Sequence, residues 1–109
     1  MTDIAQMAFR ALSDPSRREM LRMLGDRDLT VAQVSDGFDM TRAAVKKHLI
    51  ILEEGGLIRS RTQGRERINT LHPDGLRPVL DWLGWFDRFW DDHLSDLKAT
   101  IEKKDHSDD

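Results

Sequence analysis

The spacing of apolar residues changes at one place in this chain of 109 residues, the two glycines at 55–56. Before them, Val45, Leu49 and Leu52 recur at the intervals that place residues on one face of a helix. After them, apolar and polar residues alternate on both sides of residues 62–65, which predicts a β-hairpin. The chain must therefore fold with a helix that is followed at once by a hairpin.

Three shorter helical patterns precede that helix. Residues 4–12 predict a first helix, and Asp14 before a proline is typical of an N-cap that begins a second helix. We expect Gly25 to end the second helix, because glycine is the commonest residue after a helix C-terminus. Thr30 and Gln33 have the spacing of a capping box, which predicts the start of a third helix.

The last segment, residues 74–104, has apolar residues at helical intervals along its whole length. We predict one long helix here, because about 25 residues after Pro78 would extend roughly 38 Å. Apolar side chains on more than one side of so long a helix exceed what a small core can bury, so we expect a second copy of the chain to cover them. The residues expected at this dimer contact are Trp82, Trp85, Phe86, Phe89, Trp90, Leu94 and Leu97.

The length of the chain is appropriate for one domain. We expect a single domain over residues 1–104 that includes the last helix, followed by a disordered tail at residues 105–109. The predicted class is mainly α with a small two-stranded β-hairpin (α+β), in the order α-α-α-α-β-β-α. No run approaches 18 apolar residues, and an acid stands near the N-terminus where a signal peptide would be basic. We therefore expect a cytoplasmic protein with no membrane partner.

Charge is distributed unevenly along the chain, although the net charge is −3. Residues 41–67 hold seven basic and three acidic residues, whereas residues 74–109 hold five basic and ten acidic residues. A local concentration of lysine and arginine can attract phosphates even when the rest of a protein repels them. The middle of the chain is therefore a candidate nucleic-acid surface.

The order of elements around this basic segment is that of a winged helix-turn-helix, in which two short helices are followed by a hairpin called the wing. A helix enters the major groove only if its exposed face lacks bulky apolar groups and offers hydrogen-bond donors. On the fourth helix we expect DNA contacts from Thr41, Arg42, Ala43, Lys46 and Lys47. On the wing we expect them from Arg59, Arg61, Gln63, Arg65 and Arg67.

Three stretches carry a resemblance to a known family: ALSDPSRR at residues 11–18, LTVAQV at residues 29–34 and VKKHLIILEEGGLI at residues 45–58. Together they resemble the ArsR/SmtB family of bacterial winged-helix repressors, over roughly residues 5–83. The resemblance implies a homodimer paired through its first and last helices. It also implies that the dimer represses transcription by occupying an inverted repeat in a promoter, so the expected partners are operator DNA and a second copy of the chain.

Metal sensing is the part of the family's function for which this sequence lacks the residues. Members of the thiol type hold metal with a cysteine pair in the third helix, and this chain has no cysteine. His93 and His106 are 13 residues apart, so they would leave one helix on different faces. We expect no metal and no cofactor, and the sequence does not indicate an inducer.

Enzymatic function is not expected, because the chain lacks cysteine, tyrosine and a glycine-rich phosphate loop, and shows no paired carboxylates for acid–base chemistry. Three alternatives to a DNA-binding repressor remain open. The winged helix could bind a protein partner or RNA. The third alternative is a regulator that responds to a small molecule, in a pocket lined by Trp82, Trp85, Phe86, Phe89 and Trp90 near the last helix.

Overall fold

The computed structural model describes the backbone of residues 3–107 and the side chains of residues 4–89, 92–93 and 95–101. The chain divides into two compact units, Met1–Val79 and Leu80–Asp109. In chain order the elements are α1 (Asp3–Leu12), α2 (Pro15–Asp26), β1 (Leu29–Thr30), α3 (Val31–Ser35), α4 (Arg42–Glu54), β2 (Ile58–Gln63), β3 (Glu66–Leu71), a 3-10 turn (Pro73–Leu76), α5 (Arg77–Gly84) and α6 (Asp87–Ser107). No helix in the described part of the chain is both long enough and apolar enough to cross a membrane.

The N-terminal caps predicted for the second and third helices are confirmed, and the fourth helix is also capped. The Asp14 carboxylate accepts the backbone N–H of Arg17 at 3.0 Å, and this hydrogen bond is the main reason that the pKa of Asp14 is lowered. Thr30 and Gln33 form the reciprocal capping box at α3, and the hydroxyl of Thr41 caps α4. Each cap satisfies backbone N–H groups that a helix start leaves without a partner.

The core of the first unit is organised around α4. Val45, Leu49 and Leu52 are buried along one side of this helix, which packs against α1, α2, α3 and β2. Met20 from α2 and Val34 from α3 are fully buried in the same cluster. Because α4 has neighbours around its inner side, the orientation of its outer side is determined by packing.

The end of α4 and the start of the hairpin are joined by a Schellman motif. Gly56 has a φ of 77°, a left-handed conformation that glycine adopts without a steric penalty. Its N–H donates to the carbonyl of Glu53 at 2.9 Å, and the N–H of Leu57 donates to the carbonyl of Leu52 at 3.0 Å. The chain therefore turns from helix to strand within three residues, at the place that the sequence predicts.

The small antiparallel sheet has three strands, in the order β1-β3-β2. The predicted hairpin is present with Ile58 paired to Leu71 and Gln63 paired to Glu66. The third strand, β1, was not expected, because two residues are too short to show an alternating pattern. It pairs Leu29 with Asn69, and the buried Asn69 side chain donates to the Leu29 carbonyl at 3.2 Å.

The predicted fold class is confirmed, but the C-terminal segment forms two helices instead of one. The N–H groups of Trp85 and Phe86 donate to carbonyls three residues earlier, so a turn separates α5 from α6. Glycine at the end of α5, Gly84, weakens a helix, and Asp87 favours the start of a new one. Helix α6 extends to Ser107, and residues 108–109 of the predicted tail lie outside the described residues.

One further boundary differs from the sequence-based prediction. Helix α2 continues to Asp26, one residue past the Gly25 that we expected to end it. Gly25 has no left-handed φ, and the C-cap is Arg27 in an extended conformation.

A buried guanidinium links three helices of the first unit. Arg17 on α2 is only 9% exposed, and its Nε and Nη2 donate to the carbonyls of Ala11 and Arg10 at 2.8 and 3.1 Å. Its Nη1 lies 3.3 Å from Nδ1 of His48 on α4. Because a guanidinium can only donate, His48 is the acceptor here. Arg17 thus satisfies the C-terminal end of α1 and anchors α4.

We expect Arg17→Met to lower the free energy of unfolding by about 1 to 3 kcal/mol, because it removes the side-chain donor to the buried Ala11 carbonyl. Arg22→Met is the matched control, since Arg22 lies on the same helix, is exposed and makes only a 3.9 Å ion pair with Glu19. Chemical denaturation of both variants measures the difference. Equal stability of the two variants would show that the Arg17 hydrogen bonds contribute nothing.

Candidate nucleic-acid interface

The five residues predicted for the recognition helix lie together on the outer side of α4 and are exposed: Thr41, Arg42, Ala43, Lys46 and Lys47. Ala43 and Lys47 lie opposite the buried side of the helix, whereas Arg42 and Lys46 lie along one edge between the two sides. Thr41 has a structural role in addition, because its hydroxyl accepts the N–H of Ala44 at 3.1 Å. Ile50 continues the strip one turn further and is 46% exposed.

Four cations on this side of the molecule have no partner among the described residues. Arg42, Lys46 and Lys47 on α4 and Arg65 on the wing make no ion pair or side-chain hydrogen bond with any residue that the structure describes. Their charges are not neutralised within the described part of the chain. Such cations can exchange their counterions for phosphates.

The wing tip is a two-residue turn, Gly64-Arg65, between Gln63 and Glu66. Gly64 has a φ of 65°, whereas no described residue other than glycine has a positive φ. A positive φ at only the first turn position is typical of the type II′ turn, which suits the twist of a hairpin. The turn carries the Arg65 side chain at the end of the hairpin furthest from its base.

The other wing arginines lie on two different faces of the sheet and are paired internally. Because side chains alternate along a strand, Arg59 and Arg61 share one face and Arg67 points to the other. Arg59 donates to His72 at 3.2 Å, and Arg61 makes a 3.3 Å ion pair with Asp28. Arg67 lies on the face that bears the buried residue Asn69 and donates to the hydroxyl of Ser60 at 3.0 Å.

Asp28 connects β1 to the outer face of the wing. Its carboxylate accepts the hydroxyl of Thr70 at 2.6 Å, and this bond, supported by Arg61, holds the pKa of Asp28 below its usual value. A lowered pKa means that the contact favours folding above the carboxyl's unfolded pKa and is lost as the pH falls through the folded one. Arg61 is therefore part of a structural contact at neutral pH. Gln63, the remaining predicted wing residue, is exposed at the end of β2.

The residues predicted for the dimer contact lie in the second unit. Trp82, Trp85 and Phe89 are exposed, and Phe86 packs edge-on against Trp82 and Trp85 with ring centroids 5.1 and 4.8 Å apart. Leu97 is 56% exposed on α6. The side chains of two further predicted residues, Trp90 and Leu94, lie outside the described set.

The chemistry of the third helix does not fit a thiol-type metal site, because α3 consists of Val31–Ser35 and offers no thiolate. Within the described residues, no three His, Asp or Glu side chains lie close enough together to hold one metal ion. His93 Nδ1 lies 2.8 Å from the carbonyl of Phe89 on its own helix. His106 lies outside the described side chains.

Comparison with known proteins places this geometry in a family. Residues 12–61 match the family model described as a helix-turn-helix domain. The HTH-type transcriptional regulator Rv2034 of Mycobacterium tuberculosis is 31% identical over 89% of this chain and 88% of its own length. The transcriptional repressor SdpR of Bacillus subtilis is 28% identical over 69% of this chain and 83% of its own length.

A solved structure agrees with these relatives. The crystal structure of an ArsR family transcriptional regulator has a TM-score of 0.74 and 32% identity, over 82% of this chain and 92% of that one. This chain belongs to the ArsR family of helix-turn-helix transcriptional regulators. The family resemblance of the sequence is therefore confirmed, as is the winged helix-turn-helix fold.

Sequence analysis did not identify two residues of this ArsR-family interface. Asp28 precedes β1 and pairs with an arginine 33 residues away, and no local pattern marks such a contact. Glu53 is in the last turn of α4, and its carboxylate lies against the wing, 3.2 Å from the Ser60 hydroxyl. Helical periodicity predicts on which side of α4 Glu53 lies. It does not predict that the hairpin packs against that side, because this contact depends on the tertiary structure.

We expect Gly64→Ala to lower the free energy of unfolding by about 1 to 2 kcal/mol, because alanine is strained at a positive φ. Gly25→Ala is the control, and we expect it to change the free energy of unfolding in the opposite direction. Gly25 is inside α2, and an added Cβ would meet only Leu71 Cδ2 at 3.9 Å, so alanine should stabilise the helix by up to about 1 kcal/mol. Thermal unfolding of the two variants tests both signs. A stable Gly64→Ala variant would contradict the proposed wing turn.

Proposed function

We propose that this ArsR-family chain is a homodimeric repressor that binds an inverted repeat of double-stranded DNA through the outer side of α4 and the tip of the wing. The observation that carries the proposal is the set of four unpaired cations, Arg42, Lys46, Lys47 and Arg65, in a chain whose net charge is −3. Cations without internal partners in an otherwise acidic protein favour an anionic partner at that surface.

The geometry of α4 favours the major groove. Residues near the N-terminus of a recognition helix contact base edges in this class of fold, and Arg42 and Ala43 begin α4. Lys46 lies one turn further along the same side. The exposed methyl of Ala43 allows close approach, so these three residues are assigned to base edges.

Backbone contacts are assigned to Lys47 and to the wing. Arg65 at the turn reaches furthest from the hairpin base, which suits a phosphate or the adjacent minor groove. Arg59 and Arg61 have internal partners on the outer face of the sheet, so they add positive potential with less freedom to reach a phosphate. Gln63 next to the turn can donate to the DNA backbone.

Exposed apolar side chains support the homodimer. Trp82, Trp85, Phe89 and Leu97 are exposed in the second unit, and Ile4 on α1 is also exposed. Several large exposed apolar side chains, such as those of the second unit, are typical of an interaction surface, and a symmetric pair buries two such surfaces at once. A dimer would also supply two recognition helices for two half-sites about one DNA turn apart. The repressor SdpR among the relatives supports repression as the outcome.

Arg42→Ala should distinguish base contacts from backbone contacts. We expect it to weaken binding to the operator by about 1 to 3 kcal/mol and to relax preference at one base position in each half-site. Lys47→Ala and Arg65→Ala should weaken operator and shuffled duplex alike, and reduce the salt slope by about 0.9 per subunit. The operator is first selected by the unmodified protein from a random duplex library. Titrations at several salt concentrations then measure each variant.

Arg22→Ala is the control for this experiment, because it removes an exposed arginine of α2 that is not part of the interface. Equal loss of operator and shuffled binding by Arg42→Ala would contradict the groove assignment. If none of the interface variants changed DNA binding, the basic surface would be better explained by a protein partner. Tighter binding to a matched RNA duplex would favour the RNA alternative.

Leu97→Glu should dissociate the dimer. Losing one buried leucine from each copy is expected to weaken association by about 100-fold or more, and operator affinity should fall with it. Ser95→Glu introduces the same charge at an exposed polar neighbour and should leave the dimer intact. Sedimentation velocity at micromolar concentration measures both variants. A monomeric unmodified protein would contradict the proposed dimer directly.

A further inference from the structure

Glu53, Ser60 and Arg67 form a hydrogen-bonded group that joins the recognition helix to both long strands of the wing. The Ser60 hydroxyl on β2 lies 3.2 and 3.3 Å from the two carboxylate oxygens of Glu53 on α4, and can donate to either one. Arg67 Nε on β3 donates to the Ser60 oxygen at 3.0 Å. Arg67 Nη2 lies 3.7 Å from Glu53 Oε2, which closes the group as an ion pair.

The strand register explains why these three residues meet. Ser60 pairs with Asn69 and Thr62 pairs with Arg67, so Ser60 and Arg67 are diagonal neighbours on one face of the sheet. The same face carries Ile58 and Asn69, which are buried. Arg67 therefore lies on the face of the sheet nearest to α4, where its side chain is 58% exposed and pairs with Glu53.

The position of Glu53 also affects the charges around it. Glu53, Lys46 and Arg67 line one cavity of about 110 Å³ between α4 and β3. The carboxylate pairs with Arg67, whereas Lys46 has no ion pair in the described part of the chain. The ion pair partly neutralises the charge of Arg67. The charge of Lys46, which lines the same cavity, is not neutralised by an ion pair with a described residue and is available to an anionic partner.

We propose that Glu53 is a positioning residue that fixes the base of the wing against the recognition helix and keeps Arg67 from contacting phosphates. This inference rests on the proposed DNA-binding function and deepens it. A phosphate contact by Arg67 would strengthen binding to every DNA sequence, because backbone contacts carry no sequence information. By holding Arg67, Glu53 limits non-specific affinity and leaves specificity to the base-facing residues of α4.

Glu53→Gln tests the proposal, with Glu54→Gln as the matched control. Both variants remove one exposed carboxylate from the last turn of α4, but no ion pair or side-chain hydrogen bond to another described residue involves Glu54. Glu53→Gln should bind shuffled duplex about two- to fivefold more tightly per subunit, the range expected for an exposed ion pair. Its salt slope should become steeper by up to about 0.9 per subunit as Arg67 reaches a phosphate. The ratio of operator to shuffled affinity should fall.

The double variant Glu53→Gln with Arg67→Gln should not show this higher affinity for shuffled duplex, because position 67 no longer holds an arginine that could reach a phosphate. Two results would overturn the proposal. Glu54→Gln could raise non-specific affinity as much as Glu53→Gln does, which would show a general charge effect. Alternatively, Arg67→Gln alone could reduce binding to shuffled duplex as much as Arg65→Gln does, which would show that Arg67 already contacts phosphates.

A measurement without DNA separates this inference from the proposed function. In the free protein, Glu53→Gln and Ser60→Ala should lower the NMR order parameters of the amides around Ser60 and Arg67, whereas Glu54→Gln should not. Ser60→Ala removes the bridging hydroxyl and leaves every charge in place. Unchanged order parameters in both variants would exclude the positioning role even if DNA binding were normal. If the unmodified protein did not bind DNA at all, the proposed function would be refuted, but the comparison of order parameters between the variants would remain valid.

Discussion

Helix α4 has to be a core helix and a binding surface at the same time, and most of the structure follows from that constraint. Its inner side, Val45, Leu49 and Leu52, is packed by α1, α2, α3 and β2. A close-packed interior permits little rotation of such a helix, so the outer residues have a fixed direction. A loosely packed helix could carry the same basic residues without presenting them in one orientation.

Two polar contacts add to this packing, one at the middle of α4 and one at its last turn. At the middle of the helix, His48 accepts from Arg17, which also holds the C-terminal end of α1. At its last turn, Glu53 contacts the wing through Ser60. Helix α4 is therefore joined to α2 through the Arg17–His48 hydrogen bond and to the hairpin through the Glu53–Ser60 contact. Binding surfaces on α4 and on the wing can then act with a fixed spacing.

The basic residues of segment 41–67 differ in whether they have internal partners, which the composition alone does not show. The segment 41–67 contains seven basic residues, but Arg59, Arg61 and Arg67 have internal partners. Each exposed pair is weak, so these arginines still contribute to the positive potential. Within segment 41–67, the cations that have no partner among the described residues lie on the outer side of α4 and at the wing tip. A protein with a net negative charge can in this way still present a local set of free cations.

Local patterns in the sequence determined the helix caps, the apolar side of α4, the turn into the hairpin and the exposed basic residues, because each depends on residues at most a few positions apart. The family resemblance and the fold class follow from the same local patterns. The tertiary structure alone decided the third strand and the internal pairing of the wing arginines. Arg61 and Asp28 are 33 residues apart, and Asn69 and Leu29 are 40 apart. Such contacts leave no periodic signal in a sequence, because they arise only when packing brings separate elements together.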